Sequence, residues 1–376
     1  MRILITGGAG FIGTSTAKRL RLSGHEVTVL DNLSEQIHGP TPTWPEELAD
    51  TCRVIKGDVR NAEGWRLGLE DADAVLHLAA ETGTGQSMYT AGRYCDVNIT
   101  GTAILADIIL NKRSTIKKLV LASSRAVYGE GAYRTVDGDV VYPPARRPED
   151  MARGIYEPRL PGAPEPIEPA PTPETAPAHP LSVYGLTKSV QESLLQMAST
   201  AASLPLVVLR YQNVYGPGQS LRNPYTGVLP VFASLIRSNH PIDVFEDGRP
   251  ARDFVFISDV AQANVLALES ALSGVNVFNI GSGVPVSLMG VIRSLETHLN
   301  LKSRAHISGN FRIGDIRCCY ADISEARRRL GYEPAVGFDH GVGSFLEWLT
   351  RQPRGALDYA GSLREMSELA VLRSRQ

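Results

Sequence analysis

Cysteine is scarce in this chain, four residues in 376, and the placement of those four excludes more than their number does. Cys52 and Cys95 stand alone, and Cys318 and Cys319 are adjacent, a geometry poorly suited to an ordinary disulfide. None of the spacings is that of a metal site. No disulfide framework and no metal centre is therefore expected, and a reducing compartment is the simplest setting. A surplus of one charge is also missing: 38 Lys and Arg stand against 40 Asp and Glu, a formal net charge of −2. That balance excludes the basic footprint of a nucleic-acid binder. No apolar run approaches a membrane span. The opening MRILITGGAGFIG passes from a short apolar run straight into glycines, without the h-region or cleavage site of a leader. The expectation is a cytoplasmic protein with neither membrane nor nucleic acid as a partner.

What is present is an alternation. RILIT, EVTVL, RVIK, AVLHLA and KLVLAS read as buried strands with amphipathic segments between most of them, the pattern of a parallel sheet wrapped by helices. Residues 143–180 then hold 12 of the 24 prolines, a density that excludes helix and central strand. This segment reads either as an irregular surface insertion or as a disordered linker. The pattern resumes with a helix in LSVYGLTKSVQESLLQMAS and a strand in PLVVLR, so the insertion interrupts a domain. After Arg210 loops become frequent, with helices predicted near 227–238, 259–272 and 287–299. The chain is long for one core. The expected class is α/β: a doubly wound parallel sheet over 1–210, a smaller C-terminal lobe mainly over 211–350, and a tail over 351–376. That tail reads as a docking helix, a partner contact or a frayed end.

TGGAGFIG follows the first strand and opens a helix. Gly7, Gly10 and Gly13, with Phe11 and Ile12 between the last two, let backbone approach a phosphate at a helix N-terminus, where free N–H groups favour negative charge. Asp31, followed by Asn32, ends the second strand, where a carboxylate accepts hydrogen bonds from a ribose and repels a 2′-phosphate; the alternative is a turn-forming aspartate. NAD is thus expected over NADP. Asp58 and Val59 close the third strand, and Leu78, Ala79 and Ala80 the fourth, all at the carboxyl edge where open parallel sheets bind ligands. YGLTK sets Tyr184 and Lys188 one helical turn apart. Alone, that spacing suits an exposed amphipathic helix equally well. A tyrosine acting as a base near neutral pH needs positive charge beside it, which a lysine supplies.

Together with LHLAA, DVNITGT, SSRAVYG, RYQNVYGPGQ, RDFVFISDV, FNIGSG and RIGD, these motifs resemble the extended short-chain dehydrogenase/reductase superfamily, specifically its nucleotide-sugar epimerases and dehydratases. The resemblance spans nearly all of residues 1–350 and implies a Rossmann-type fold with a substrate-binding C-terminal lobe. It also implies a catalytic group of Ser124, Tyr184 and Lys188: Tyr184 as acid/base on a sugar hydroxyl, Ser124 bonded to the reacting oxygen, and Lys188 on the nicotinamide ribose, lowering the tyrosine pKa. Asn98 falls in the segment beneath the cofactor, in a structural role. Ser123 suits a hydroxyl that satisfies local backbone.

Family members that dehydrate the sugar carry Asp-Glu after the serine, and decarboxylating relatives carry a glutamate at the second position. Arg125 and Ala126 stand there in this chain, and alanine transfers no proton. The reaction implied is C4 epimerisation, by removal and return of a hydride through a 4-keto sugar with Tyr184 handling the hydroxyl proton. Asn213, Arg252 and Arg312 match family positions that hold the substrate diphosphate and nearby sugar, as the arginine fork allows; for Arg252 a salt bridge to Asp253 is the plainer alternative. Gln212 departs from the family's usual bulky apolar residue. The ETGTGQSMY loop (81–89), NPYTG and the proline-rich insertion resemble the branch of dTDP-L-rhamnose 4-epimerases, with a dTDP-linked sugar as the implied substrate. Thr84, Gln86, Ser87 and Arg125 are the pocket candidates. The insertion would form a wall or lid of the sugar pocket, or a passive surface loop. Rival readings are a 4-epimerase of another nucleotide sugar, a 4-keto-sugar reductase, and a non-catalytic NAD-binding scaffold. The resemblance further implies a homodimer through helices near 94–112 and from Tyr184.

Overall fold

The apolar runs become strands because both of their faces are covered. In the computed structural model, which describes residues 1–112, 115–162, 166–221, 223, 225, 227–352 and 359–375, seven of them form one parallel sheet. These are β1 (Arg2–Thr6), β2 (Glu26–Asp31), β3 (Arg53–Lys56), β4 (Ala74–His77), β5 (Lys118–Ser124), β6 (Leu206–Tyr211) and β7 (Val275–Ile280), in the order β7-β6-β5-β4-β1-β2-β3. Alternate residues feed two cores. Ile3, Ile5, Val29, Val120 and Val207 pack on Ala17 and Leu20 of helix Phe11–Leu22 and on Val260 and Ala263 of helix Ile257–Glu269. Leu4, Val75, Leu119, Leu121 and Val208 pack the other way, on Leu105 of helix Gly101–Leu110 and on Leu195 and Ala198 of helix Val183–Ala202. Each such side chain, fully buried, contributes about 1.5–3 kcal/mol of transfer free energy. The chain reverses direction of travel across the sheet between β1 and β4, which opens a crevice at their carboxyl ends.

The doubly wound sheet follows the sequence reading, with one difference. Helix Ile257–Glu269 and β7 return to the main sheet, so the lobe expected over 211–350 is interrupted by a sheet element. The rest of that region has its own core, in which Phe232 and Ile236 of helix Val228–Arg237 meet Val291 and Leu295 of helix Leu288–Leu299 and Phe345 and Leu346 of helix Phe338–Thr350.

The described part of the proline-rich insertion is held in place. Arg146, with its side chain 2% exposed, lies 2.8 Å from both Glu130 and Glu246. Arg317 adds Glu246 at 3.1 Å, Asp247 at 2.6 Å and an ion pair with Glu157. Removing one partner from such a buried set typically costs about 3–5 kcal/mol, because the other charges are left unpaired. This set excludes the disordered-linker alternative for the described residues. The expectation of no helix also needs correction: Pro148 starts the short helix Pro148–Ala152, where its missing N–H has no intrahelical acceptor to lose. Residues 163–165 of the insertion lie outside the described residues.

Of the three readings of the tail, the structure carries a docked helix. Tyr359–Glu368 is helical, and Leu372–Arg373 pairs antiparallel with Phe311–Arg312.

Candidate active site

A cavity of about 510 Å³ opens at the crevice and runs from the glycine loop to the lobe. At one end the loop between β1 and its helix turns tightly. Gly7 has φ +68°, and a Cβ there would stand 2.7 Å from the Ala79 nitrogen, so only glycine lets the loop close on the end of β4. Gly10 caps helix Phe11–Leu22 without any side-chain hydrogen bond, so the first turn keeps N–H groups for a phosphate. Asp31, buried, accepts from the Ala9 N–H at 3.0 Å and the Leu33 N–H at 2.9 Å and still lines the cavity. It is both a turn carboxylate and a cavity group. Asp58 and Val59 lie just past β3, and Leu78, Ala79 and Ala80 just past β4. Arg60 donates to the Asp58 carboxyl and holds it down at about 2, against burial; Asn32 donates to the same group at 3.0 Å. A narrow loop beside a helix N-terminus, with a carboxylate at the next strand end, fits a dinucleotide.

At the centre, β5 ends on Ser124, whose Oγ accepts from the Ala126 N–H at 3.2 Å and so caps the 3₁₀ turn Arg125–Tyr128. Helix Val183–Ala202 lies against that turn because Gly185 permits it: a Cβ there would stand 2.4 Å from the Ala126 carbonyl oxygen. Ser182 caps the helix through the Gly185 N–H, and Ser87 accepts from the Tyr184 N–H at 3.1 Å. Tyr184 is thereby fixed beside Ser124. Burial pushes the Tyr184 phenol above its ordinary value, opposed by a hydrogen bond with Ser124 and by the Arg125 charge. Lys188, also buried, donates to the Ala122 carbonyl at 2.9 Å, and its Nζ stands 6.0 Å from the Tyr184 ring centre. Burial pushes that ammonium down to about 7, opposed by Glu192.

Lys188 is turned toward the Ala122 carbonyl, and the charge that opposes the rise of the Tyr184 pKa is that of Arg125. Ser123 is reassigned. It bonds the buried Glu192 carboxylate, which Arg210 clamps at 3.0 and 2.7 Å, and serves no local backbone.

At the far end, Arg252 reaches Asp315 at 2.6 Å and Arg312 reaches it at 2.8 Å. Burial would raise the Asp315 carboxyl, but the Arg312 and Arg252 charges hold it far below the ordinary carboxylate range. The Arg252–Asp253 pairing is overturned: Asp253 instead caps the Ser282 and Gly283 N–H groups at 2.8 and 3.0 Å. Arg125 donates to the Asn213 Oδ1 at 3.0 Å. Burial, then the like charge of Arg252, pushes its guanidinium down to about 10.

Nearly all sequence candidates line this one cavity, Thr84 included. Three do not. Asn98, within the π-helical stretch Cys95–Thr100, bonds the Glu81 N–H and carbonyl at 2.7 and 3.1 Å and Thr187 at 2.9 Å. It ties the loop after β4 to the Tyr184 helix and stands outside the cavity wall. Gln86 accepts from Gln36 at 3.0 Å, and Ser87 is spent on the Tyr184 N–H, so neither is a pocket group. Sequence reasoning missed Asp315, although it stands three residues after Arg312 in RIGD, the spacing of a local ion pair. It also gave no role to Gln212, a lining residue whose buried amide atoms both lack a hydrogen-bond partner. Phe245, Tyr359 and Met366 carry no motif and were not singled out. Among the described residues no group of His, Cys, Asp and Glu could hold a metal ion, and no helix is long and apolar enough to cross a membrane.

The chain matches the NAD dependent epimerase/dehydratase family over residues 3–148 and 159–281. It belongs to that family, and NAD is its cofactor. Among particular relatives, it is 39% identical to the dTDP-L-rhamnose 4-epimerase of Burkholderia thailandensis, covering 93% of this chain and 95% of that one. It is 30% identical to the UDP-glucuronate 4-epimerase of Thermodesulfobacterium geofontis, over 92% and 95%. Among solved structures it resembles the UDP-glucuronic acid 4-epimerase of Bacillus cereus in complex with UDP-glucuronic acid and NAD, with a TM-score of 0.76 and 27% identity over 93% of this chain and 99% of that one. The UDP-glucose 4-epimerase of Thermotoga maritima with UDP-glucose gives 0.75 and 28% over the same shares.

Proposed function

We propose that this chain is an NAD-dependent nucleotide-sugar 4-epimerase whose substrate is dTDP-L-rhamnose and whose product is the C4 epimer, dTDP-6-deoxy-L-talose. The observation that carries the reaction class is the pair after Ser124. Ala126 is buried beside the Tyr184 helix and has no proton to give, and Arg125 holds Asn213, so no acid/base pair for dehydration stands there. The dTDP-L-rhamnose assignment rests on the relative at 39% identity, together with the 81–89 loop and NPYTG.

In this reading Tyr184 takes the proton of the C4 hydroxyl and returns one to that oxygen after the 4-keto sugar has presented its other face. Ser124 holds the same oxygen, and Arg125 favours the phenolate. NAD, when bound, supplies the hydride acceptor and donor. Gly7, Gly10, Phe11, Ile12 and Gly13 would hold its phosphates, and Asp31 with Asn32 the adenosine ribose. Asp58, Val59, Leu78, Ala79 and Ala80 would line its remaining length, and Lys188 would reach the second ribose. Arg252 and Arg312 would bind the substrate diphosphate, with Asp315 aligning the two forks. Leu110 of helix Gly101–Leu110 and Leu186 and Met197 of helix Val183–Ala202 are exposed at 49, 49 and 70%, apolar surface that supports pairing of two copies through these helices.

The relatives that act on UDP-sugars support a second reading, a 4-epimerase of a UDP-linked sugar. Measuring kcat/KM for dTDP-L-rhamnose, UDP-glucose and UDP-glucuronate decides between them. The proposal expects dTDP-L-rhamnose to lead by about a hundredfold, within the range that one methylene contact in a pocket supplies. A UDP-sugar in the lead would contradict the dTDP assignment.

A further inference from the structure

We propose that the C-terminal segment, residues 359–375, is a working wall of the substrate site, with Tyr359 and Met366 closing the cavity over the nucleoside diphosphate. The inference rests on the reading that this cavity takes a nucleotide sugar. Both side chains line the cavity, and Met366 is 2% exposed. Its sulfur stands 3.2 Å from where a Cβ on Gly85 would be, and Nη1 of Arg312 stands 3.9 Å from the same point. Met366 thus occupies the junction between the turn after β4 and the diphosphate arginines.

The segment is fastened on three sides. Leu372–Arg373 pairs with Phe311–Arg312, and the Ile313 N–H donates to the Val371 carbonyl at 2.9 Å, so the tail fixes the backbone that carries Arg312. Glu365 accepts from the Tyr225 hydroxyl at 2.5 Å, which in turn accepts from the Tyr89 hydroxyl at 3.0 Å. This chain joins the tail to both NPYTG and the 81–89 loop. On the outer side the Arg375 guanidinium lies against Gly154 of the insertion.

The chemistry of this wall suits its position. A thioether and a phenol offer polarisable apolar surface to a base or sugar face. Arg312 stacks over Phe245 at 5.4 Å, and its buried Nε has no hydrogen-bond partner, which leaves donor capacity for phosphate oxygen.

The test titrates the purified, NAD-containing protein with dTDP and with UDP by calorimetry and compares Met366→Ala and Tyr359→Ser with the unaltered chain. Melting temperature and bound NAD are recorded for each. The expected result is a rise of about tenfold in Kd for dTDP in both variants, matched by a rise in KM for the nucleotide sugar, with NAD occupancy unchanged. A Kd within twofold of the unaltered chain, whether or not the melting temperature falls, would overturn the proposal and leave the tail a structural appendage. Failure of the unaltered protein to bind either nucleotide would overturn the nucleotide-sugar reading itself, and this proposal with it.

Discussion

The end of the cavity proposed for the cofactor is built largely from main chain, whereas the end proposed for the substrate is built from long side chains carried by separate segments. At the first, glycine turns, strand ends and one helix N-terminus do most of the work, and Asp31 is held by two backbone N–H groups. At the second, Arg252, Arg312 and Asp315 hold one another by ion pairs, and the walls come from the turn after β4, the lobe and the tail. Backbone geometry is specified locally and, in the proposed reading, would bind what all family members share. Side chains brought together from across 280 residues can be exchanged one at a time, and this is where a choice between nucleotide sugars would be made.

Four substitutions test that contrast. The largest effect is expected at the point where the two ends meet: Tyr184→Phe should lower kcat by about 10³-fold, within the usual range for losing a general acid/base. Bound NAD, read by absorbance after denaturation, should be unaffected. Next, Gly7→Val should empty the cofactor end, because a Cβ would clash with the Ala79 backbone at 2.7 Å and sit at a positive φ. Purified protein should then carry little or no NAD and show correspondingly little turnover. Asp31→Ser should leave the fold intact and reduce the preference for NAD over NADP by at least tenfold, measured as the ratio of the two dissociation constants; an unchanged ratio would assign Asp31 to the turn alone. The smallest effect belongs to Arg125→Met. The Arg125 charge lowers the Tyr184 pKa, so removing it should raise that pKa, and the rising limb of kcat/KM should move toward higher pH. A limb that stayed in place would return that role to Lys188.

The contrast between the two ends also explains what could be read in advance. Alternation of apolar runs gave the sheet, since strands covered on both faces must be apolar throughout, and the glycine spacing gave the phosphate loop. β7 escaped assignment to the sheet because VNVFNI sits beyond a lobe segment, and strand propensity does not say which sheet a strand joins. Gln86 and Ser87 looked like pocket residues because they lie in a site loop. Their hydrogen bonds run to Gln36 and to the Tyr184 backbone, a distinction that only three-dimensional placement makes. The Arg146–Glu246–Arg317 set and the Glu365–Tyr225–Tyr89 chain join residues 71 to 140 positions apart in no periodic pattern. Nothing local in the sequence announces them, which is why the sequence left several readings open for both the insertion and the tail.

The central claim is internal hydride return at C4 of a nucleotide sugar. Its most direct test is proton NMR of the purified protein, with no nucleotide added, on dTDP-L-rhamnose in deuterated buffer. The account predicts conversion to the C4 epimer with no solvent deuterium in the product. Conversion that depends on added reduced nucleotide, or deuterium appearing at carbon beside the carbonyl, would contradict it.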